Sequence, residues 1–215
     1  MPTSVRELLL VGGVFDPPHR AHIRIPAGIR DRLFGPAAWL VYVPAARSPH
    51  KPGGPVASDK DRVAMLRLAL RDTPRTAIWT DELNRPPPSY WIETLRRAIG
   101  SAPSGATIRF IIGSDQAVVF HKWRDFREIL GLAEPVVMLR PPHKSGAAVL
   151  REMRRAHAWT KAEMEQWGGW IDEANLMDES STRARSSLGR GAGAAGVPPA
   201  VRAYIRRRGL YKKGA

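Results

Sequence analysis

An apolar run, Leu8-Leu9-Leu10-Val11, ends in two glycines, and the stretch from Gly12 to His22 reads GGVFDPPHRAH. A buried strand that stops in a glycine turn and resumes as a helix from about His19 admits few folds, and it makes a strand, a phosphate loop and a helix start. Gly12 and Gly13 lack a Cβ, so the backbone is expected to turn sharply there and let an anionic ligand approach its amides. His19 and His22, three apart, share one helix face at the end where unpaired amides and the dipole favour negative charge. Both imidazoles would then face a phosphate. Asp16-Pro17-Pro18 sets the entry, because proline presets φ and is tolerated in a helix's first turn.

The same residues have two plainer readings. Paired histidines serve as zinc ligands elsewhere, but zinc takes three or four ligands and the chain has no cysteine. A structural turn is the other.

Apolar segments recur along the chain between helical stretches: Ala38–Val43, Thr76–Thr80, Ile108–Ile112 and Pro135–Leu139. Strands alternating with helices imply a mainly parallel sheet with helices on both faces. Pro26 is expected to kink the first helix. Ser58-Asp59-Lys60-Asp61 reads as a capping box before a scaffold helix with Val63, Leu66 and Leu70 on one face. Ser89 is expected to cap a helix from Tyr90 to Ile99. Arg47 to Pro55 holds too much proline and glycine for a regular element, and it falls at a strand's C-terminal edge, where open α/β sheets bind ligands. Gly113-Ser114-Asp115 is a second glycine turn opening a second helix. Between His143 and Trp170 no periodicity is clean, and no function attaches to Arg151, Arg154, Arg155, Trp159, Trp167 or Trp170. Near the end, hydroxyls at Ser180, Ser181 and Thr182, with Arg185 a turn on, make either a phosphate site at a helix start or a simple cap.

Taken in order, these motifs resemble those of the bacterial nicotinate-nucleotide adenylyltransferases. Gly13 to His22 is similar to G-x-F-D-P-x-H-x-G-H, with Ala21 at the last glycine. The segment through Pro49-His50-Lys51 is similar to the loop whose lysine approaches the mononucleotide phosphate. PSYWIETL, residues 88–95, is similar to P-S-Y-T-x-x-T-L, with Trp91 replacing a threonine. Gly113-x-Asp115, Trp123 and the strand-end Arg140 follow, then residues 179–185 resembling I-S-S-T-x-I-R with Glu179 at the first aliphatic, and an ending from Val197 to Tyr211. An ordered set is far more specific than any one motif.

The resemblance implies a Rossmann-like nucleotidyltransferase fold, one domain over 1–215 with a small C-terminal helical part at about 180–213. It implies ATP at Gly12, Gly13, Val14, Phe15, His19, His22, Gly113, Asp115, Ser180, Ser181, Thr182 and Arg185. The mononucleotide would meet Asp16, Lys51, Ser89, Tyr90, Trp91, Trp123 and Arg140. His19, His22 and Arg185 would be catalytic, with Mg²⁺ accompanying ATP and no metal held by the protein alone.

Charge decides less. Lys and Arg number 34 against 20 Asp and Glu, a net +14. Such a field attracts polyphosphates, but equally nucleic acid, for which salt-sensitive, non-specific retention is expected. No apolar run approaches the ~20 residues of a membrane helix, and the start carries no signal-peptide pattern. A cytoplasmic protein without a membrane partner is the expectation, and a homo-oligomer stays open.

Overall fold

The computed structural model describes residues 5–47, 54–174, 181–189, 194 and 196–212. Six strands, β1 (Glu7–Gly13), β2 (Ala38–Pro44), β3 (Thr76–Ile78), β4 (Thr107–Gly113), β5 (Glu134–Met138) and β6 (Ile171–Asp172), form one sheet in the order β3-β2-β1-β4-β5-β6. Every neighbouring pair is parallel. The order reverses between β1 and β4, the crevice where doubly wound sheets bind ligands.

Because both faces are covered, β1 is apolar from Leu8 to Val11 and its pleat sorts the residues. Leu8 and Leu10 join Phe110, Ile112 and Val137 under α3 (Trp91–Ser101), α5 (Phe126–Leu132), α6 (Gly146–Arg154) and α7 (Lys161–Trp170). Leu9 and Val11 join Leu40, Tyr42 and Ile111 under α1 (Arg20–Ile29) and α2 (Asp59–Leu70). A fully buried leucine of this kind contributes about 1.5–3 kcal/mol relative to exposure. A third cluster packs α8 (Ser181–Gly189) and α9 (Pro199–Arg208) against α2 through Met65, Ala184, Val201 and Ile205.

Pro26 lies inside α1, which runs through it to Ile29 and continues as a π turn over Arg30–Phe34. Other expectations are corrected. Tyr90, not Ser89, is the N-cap residue of α3, and its side chain makes no cap bond. Ser89 instead ties the loop to the exit of β2: its hydroxyl accepts from Ala46 N at 3.2 Å and its amide donates to Arg47 O at 3.1 Å. The stretch without periodicity supplies α6, α7 and β6. Of its tryptophans, Trp167 is core and Trp159 and Trp170 pack half-buried against it: the three meet edge to face at ring centroid distances of 5.3 and 5.2 Å, and Trp167 reaches Phe120 at 5.3 Å. Among the described residues no helix is long and apolar enough to cross a membrane.

Candidate active site

The loop leaving β1 carries its left-handed turn at Phe15, φ 51°, not at a glycine. The glycines serve close approach. A Cβ at Gly12 would lie 2.7 Å from Trp91 Cζ3, and one at Gly13 3.0 Å from Phe15 Cζ. Their bareness therefore seats two protein rings, while Gly12 stays exposed on its remaining side.

Asp16, expected at the mononucleotide, is 2 % exposed, and its carboxylate is committed to the protein. It accepts from Val56 N at 2.7 Å, Ala57 N at 3.2 Å and the Tyr211 hydroxyl at 2.5 Å. Burial first, then the bond to Asp16, pushes the Tyr211 phenol up, so it remains a donor. Arg62 of α2, fully buried, donates to Val14 O at 2.6 Å and to Asp59 at 2.6 Å. The loop is thus held from behind by residues outside its motif.

His19 caps α1 and is 2 % exposed, whereas His22 is half-buried. The two rings, expected on one helix face, stack there, centroids 3.6 Å apart and 24° from parallel. His19 N donates to His22 Nδ1 at 3.3 Å, which in the neutral ring leaves the His22 proton on Nε2. Tyr42, buried below, donates to His22 O at 3.0 Å. The first-turn amides are partly engaged too: Arg20 N donates to Gly196 O at 2.8 Å and His22 N to His19 O at 3.0 Å.

Burial, and after it the charge of Arg140, holds His19 down from 6.5 to about 4. At neutral pH it is a neutral hydrogen-bonding ring, which also avoids two stacked imidazolium charges. Because the folded value lies below the unfolded one, this contribution is complete above pH 6.5 and is lost as the pH falls toward 4. The full loss is about 3 kcal/mol. Urea titrations at pH 7 and pH 4.5 should therefore show a steeper acid loss in the wild type than in His19→Asn. Equal acid losses would contradict the buried neutral ring.

Across the β1/β4 crevice, Gly113 ends β4 and opens α4 (Ser114–Val118). A Cβ there would lie 2.3 Å from Asp115 Oδ1 and 2.5 Å from Arg140 Cδ. Arg140 Nη1 stands 3.7 Å from Asp115 Oδ1, and its charge acts on His19. Beside them, aromatic rings run from Trp91 to Phe110 at 5.9 Å, Phe120 at 6.0 Å and Trp123 at 4.8 Å. Trp91 and Trp123 are both half-buried against the core at the two ends of this run. Tyr90 lies under the Arg124 guanidinium, 4.8 Å from the ring centroid.

Helix α8 closes the loop from the other side: Ser181 donates to Pro17 O at 3.0 Å and Arg185 to Asp16 O at 2.6 Å. Lys51 and Ser180 lie outside the described residues, as does the side chain of Thr182. Ala21, at the position where the resembled motif has glycine, is buried in the same core cluster as Phe15. Among the described residues no three His, Asp or Glu side chains converge as a metal site. Sequence reading missed the supports: Arg62 inside a helix read as scaffold, Tyr211 at a chain-end motif, and the buried pair Ser114 and His143.

Residues 10–187 match the cytidylyltransferase-like family model. A protein from Laribacter hongkongensis named as a probable nicotinate-nucleotide adenylyltransferase is 34 % identical over 210 residues, 94 % of this chain and 93 % of that one. Its namesake from Chromobacterium violaceum is 31 % identical over 209 residues, 94 % and 96 % of the two chains. Among solved structures, the nicotinic acid mononucleotide adenylyltransferase of Plasmodium falciparum complexed with NaAD superimposes with a TM-score of 0.68 at 16 % identity, covering 96 % of this chain and 97 % of that one.

Proposed function

The chain belongs to the cytidylyltransferase-like family and, within it, to the nicotinate-nucleotide adenylyltransferases, and from that premise we propose how its residues divide the work. The reaction joins nicotinate mononucleotide to the AMP part of ATP, giving deamido-NAD and pyrophosphate in NAD biosynthesis. An oxygen of the mononucleotide phosphate attacks the α-phosphorus of ATP, the new P–O bond forms, and the bond to the bridging oxygen of pyrophosphate breaks. No side chain becomes covalently attached, so catalysis is positioning and charge stabilisation.

His22 offers Nε2–H to phosphate oxygens as charge grows on them, with His19 stacked as a neutral partner. Arg185 and Ser181 bring α8 onto the same loop, and Gly113 and Asp115 border the nucleotide across the crevice. Lys51, Ser180 and Thr182 complete the phosphate contacts. Arg140, Ser89, Tyr90, Trp91 and Trp123 form the mononucleotide side, the tryptophans offering flat faces for the pyridine ring. Bound with ATP, Mg²⁺ would supply neutralisation of the charge on the leaving pyrophosphate. Asp16 holds the loop rather than the substrate, and the chain works as a single domain.

This reading rests on one observation: the loop with stacked His19 and His22, the α8 arginine and the β4-end turn with Arg140 all meet at the reversal of strand order. A pyrophosphate-release assay with Mg·ATP and a panel of acceptor phosphates tests it. Turnover only with an acceptor other than a pyridine mononucleotide would refute the substrate assignment.

A preference for the acid over the amide mononucleotide is expected. The Tyr90 side chain gives α3 no cap bond, so the first-turn amides and the positive helix end favour a carboxylate. A carboxamide turns a donor toward those donors, and an unpaired buried polar group costs about 1–3 kcal/mol, or roughly ten- to a hundred-fold in selectivity. Comparing kcat/KM for the two mononucleotides on one preparation decides it; equal values would remove the preference.

A further inference from the structure

A buried polar chain lies behind Arg140, in the segment to which the sequence assigned no function. Ser114 Oγ accepts from Arg140 N at 3.0 Å and lies 3.2 Å from Arg140 O. His143 Nδ1 is 3.1 Å from the same hydroxyl, and His143 Nε2 is 2.8 Å from Glu152 Oε2 on α6. The His143 amide also donates to Arg140 O, at 2.9 Å. Ser114 is 0 % exposed and His143 7 %, while the Glu152 side chain is open to solvent.

The order serine, histidine, glutamate is that of a hydrolytic triad, but a nucleophile must reach a substrate. This hydroxyl is sealed in the core and already accepts a backbone N–H, so its chemistry is structural. What it grips is informative. Ser114 and His143 together engage both main-chain polar groups of Arg140. The Arg140 side chain then leaves along a track so narrow that its Cδ would clash with any Cβ at Gly113. Glu152, accepting from Nε2, fixes the ring orientation that aims Nδ1 at Ser114.

We propose that His143, oriented by Glu152 and acting through Ser114, is a positioning residue for Arg140 and thereby for the anionic mononucleotide. The proposal rests on the assignment of Arg140 to that substrate. A cation displaced at its root meets the phosphate in the wrong place, and misplacements of about 1 Å cost as much as ~100-fold in turnover. A slackened clamp costs less, about tenfold.

The test measures kcat, KM for the mononucleotide and Tm on Ser114→Ala, His143→Gln, Glu152→Ala, Glu152→Gln and Arg140→Ala. Ser114→Ala, His143→Gln and Glu152→Ala should each raise KM about tenfold, with smaller changes in kcat. Glu152→Gln, which keeps an acceptor for Nε2, should retain most of the affinity. Ser114→Ala with His143→Gln should be no worse than the poorer single variant, and neither should add to Arg140→Ala. A lowered Tm with unchanged KM would make the chain merely structural and overturn the proposal. Equal losses with and without the Arg140 side chain would overturn it too. Arg140→Ala with unaltered KM would remove the substrate assignment itself, an outcome visible in that variant alone. Since Glu152 is exposed, its two variants keep the test alive should the buried ones fold poorly.

Discussion

His22→Ala is expected to lower kcat by about a hundred- to a thousand-fold, the usual cost of removing one donor aimed at charge that develops in a transition state. ATP affinity should change far less. The difference follows from how the ring is held. Its Nδ1 is occupied by the His19 amide and its face by the His19 ring, so Nε2–H has a fixed direction before substrate arrives. A donor oriented in advance loses little on reaching the transition state, and its benefit is felt where negative charge is greatest. Many other groups hold the ground-state nucleotide, and they survive the change. Single-turnover rates and equilibrium ATP binding on the same variant separate the two quantities. A variant of normal fold with near-normal turnover would remove His22 from the chemistry.

The second large effect falls on stability. Asp16→Ala is expected to destabilise the fold by about 3–5 kcal/mol, the range for breaking a buried, hydrogen-bonded charge from one side. Three donors, Val56 N, Ala57 N and the Tyr211 hydroxyl, would lose their acceptor together. Arg185, with Nη1 3.9 Å from the carboxylate, would lose its counter-charge. Against the 5–15 kcal/mol that usually separates folded from unfolded chains, this is a severe loss. Asp16→Asn keeps one oxygen and should recover part of it. Urea unfolding of the three proteins at pH 7 measures the series. A variant as stable as the wild type but with a raised KM for the mononucleotide would return Asp16 to the substrate.

These two residues show where sequence was informative and where it was not. The place of His22 was legible because it is local: two histidines three apart after a glycine turn can be placed on a helix start without knowing anything else. The parallel sheet was legible for a similar reason, since apolar strands between helical stretches leave few arrangements. The support around Asp16 was not legible because its partners are distant, and no local pattern shows that residues 56, 57 and 211 will converge on it. Arg62 was hidden inside an ordinary amphipathic helix, where a charge of zero exposure cannot be told from a solvated one. The tryptophans of α7 and its approach had no period because they pack edge to face on one another rather than along one face. With two residues, β6 left no signature at all.

The clasp between Tyr211 and Asp16 also sets an order of events. The two residues are 195 positions apart, and the Arg185, Ser181 and Gly196 contacts to the same loop are nearly as remote. On a ribosome adding about 5–20 residues per second, the phosphate loop therefore emerges some ten to forty seconds before the residue that locks it. The β1–β2 pairing can be complete in that interval, but the pocket beside it cannot. A nascent chain would meet a cytosol full of nucleotide with a half-made receptor. The loop is thus locked only once the segment that follows α9 has arrived.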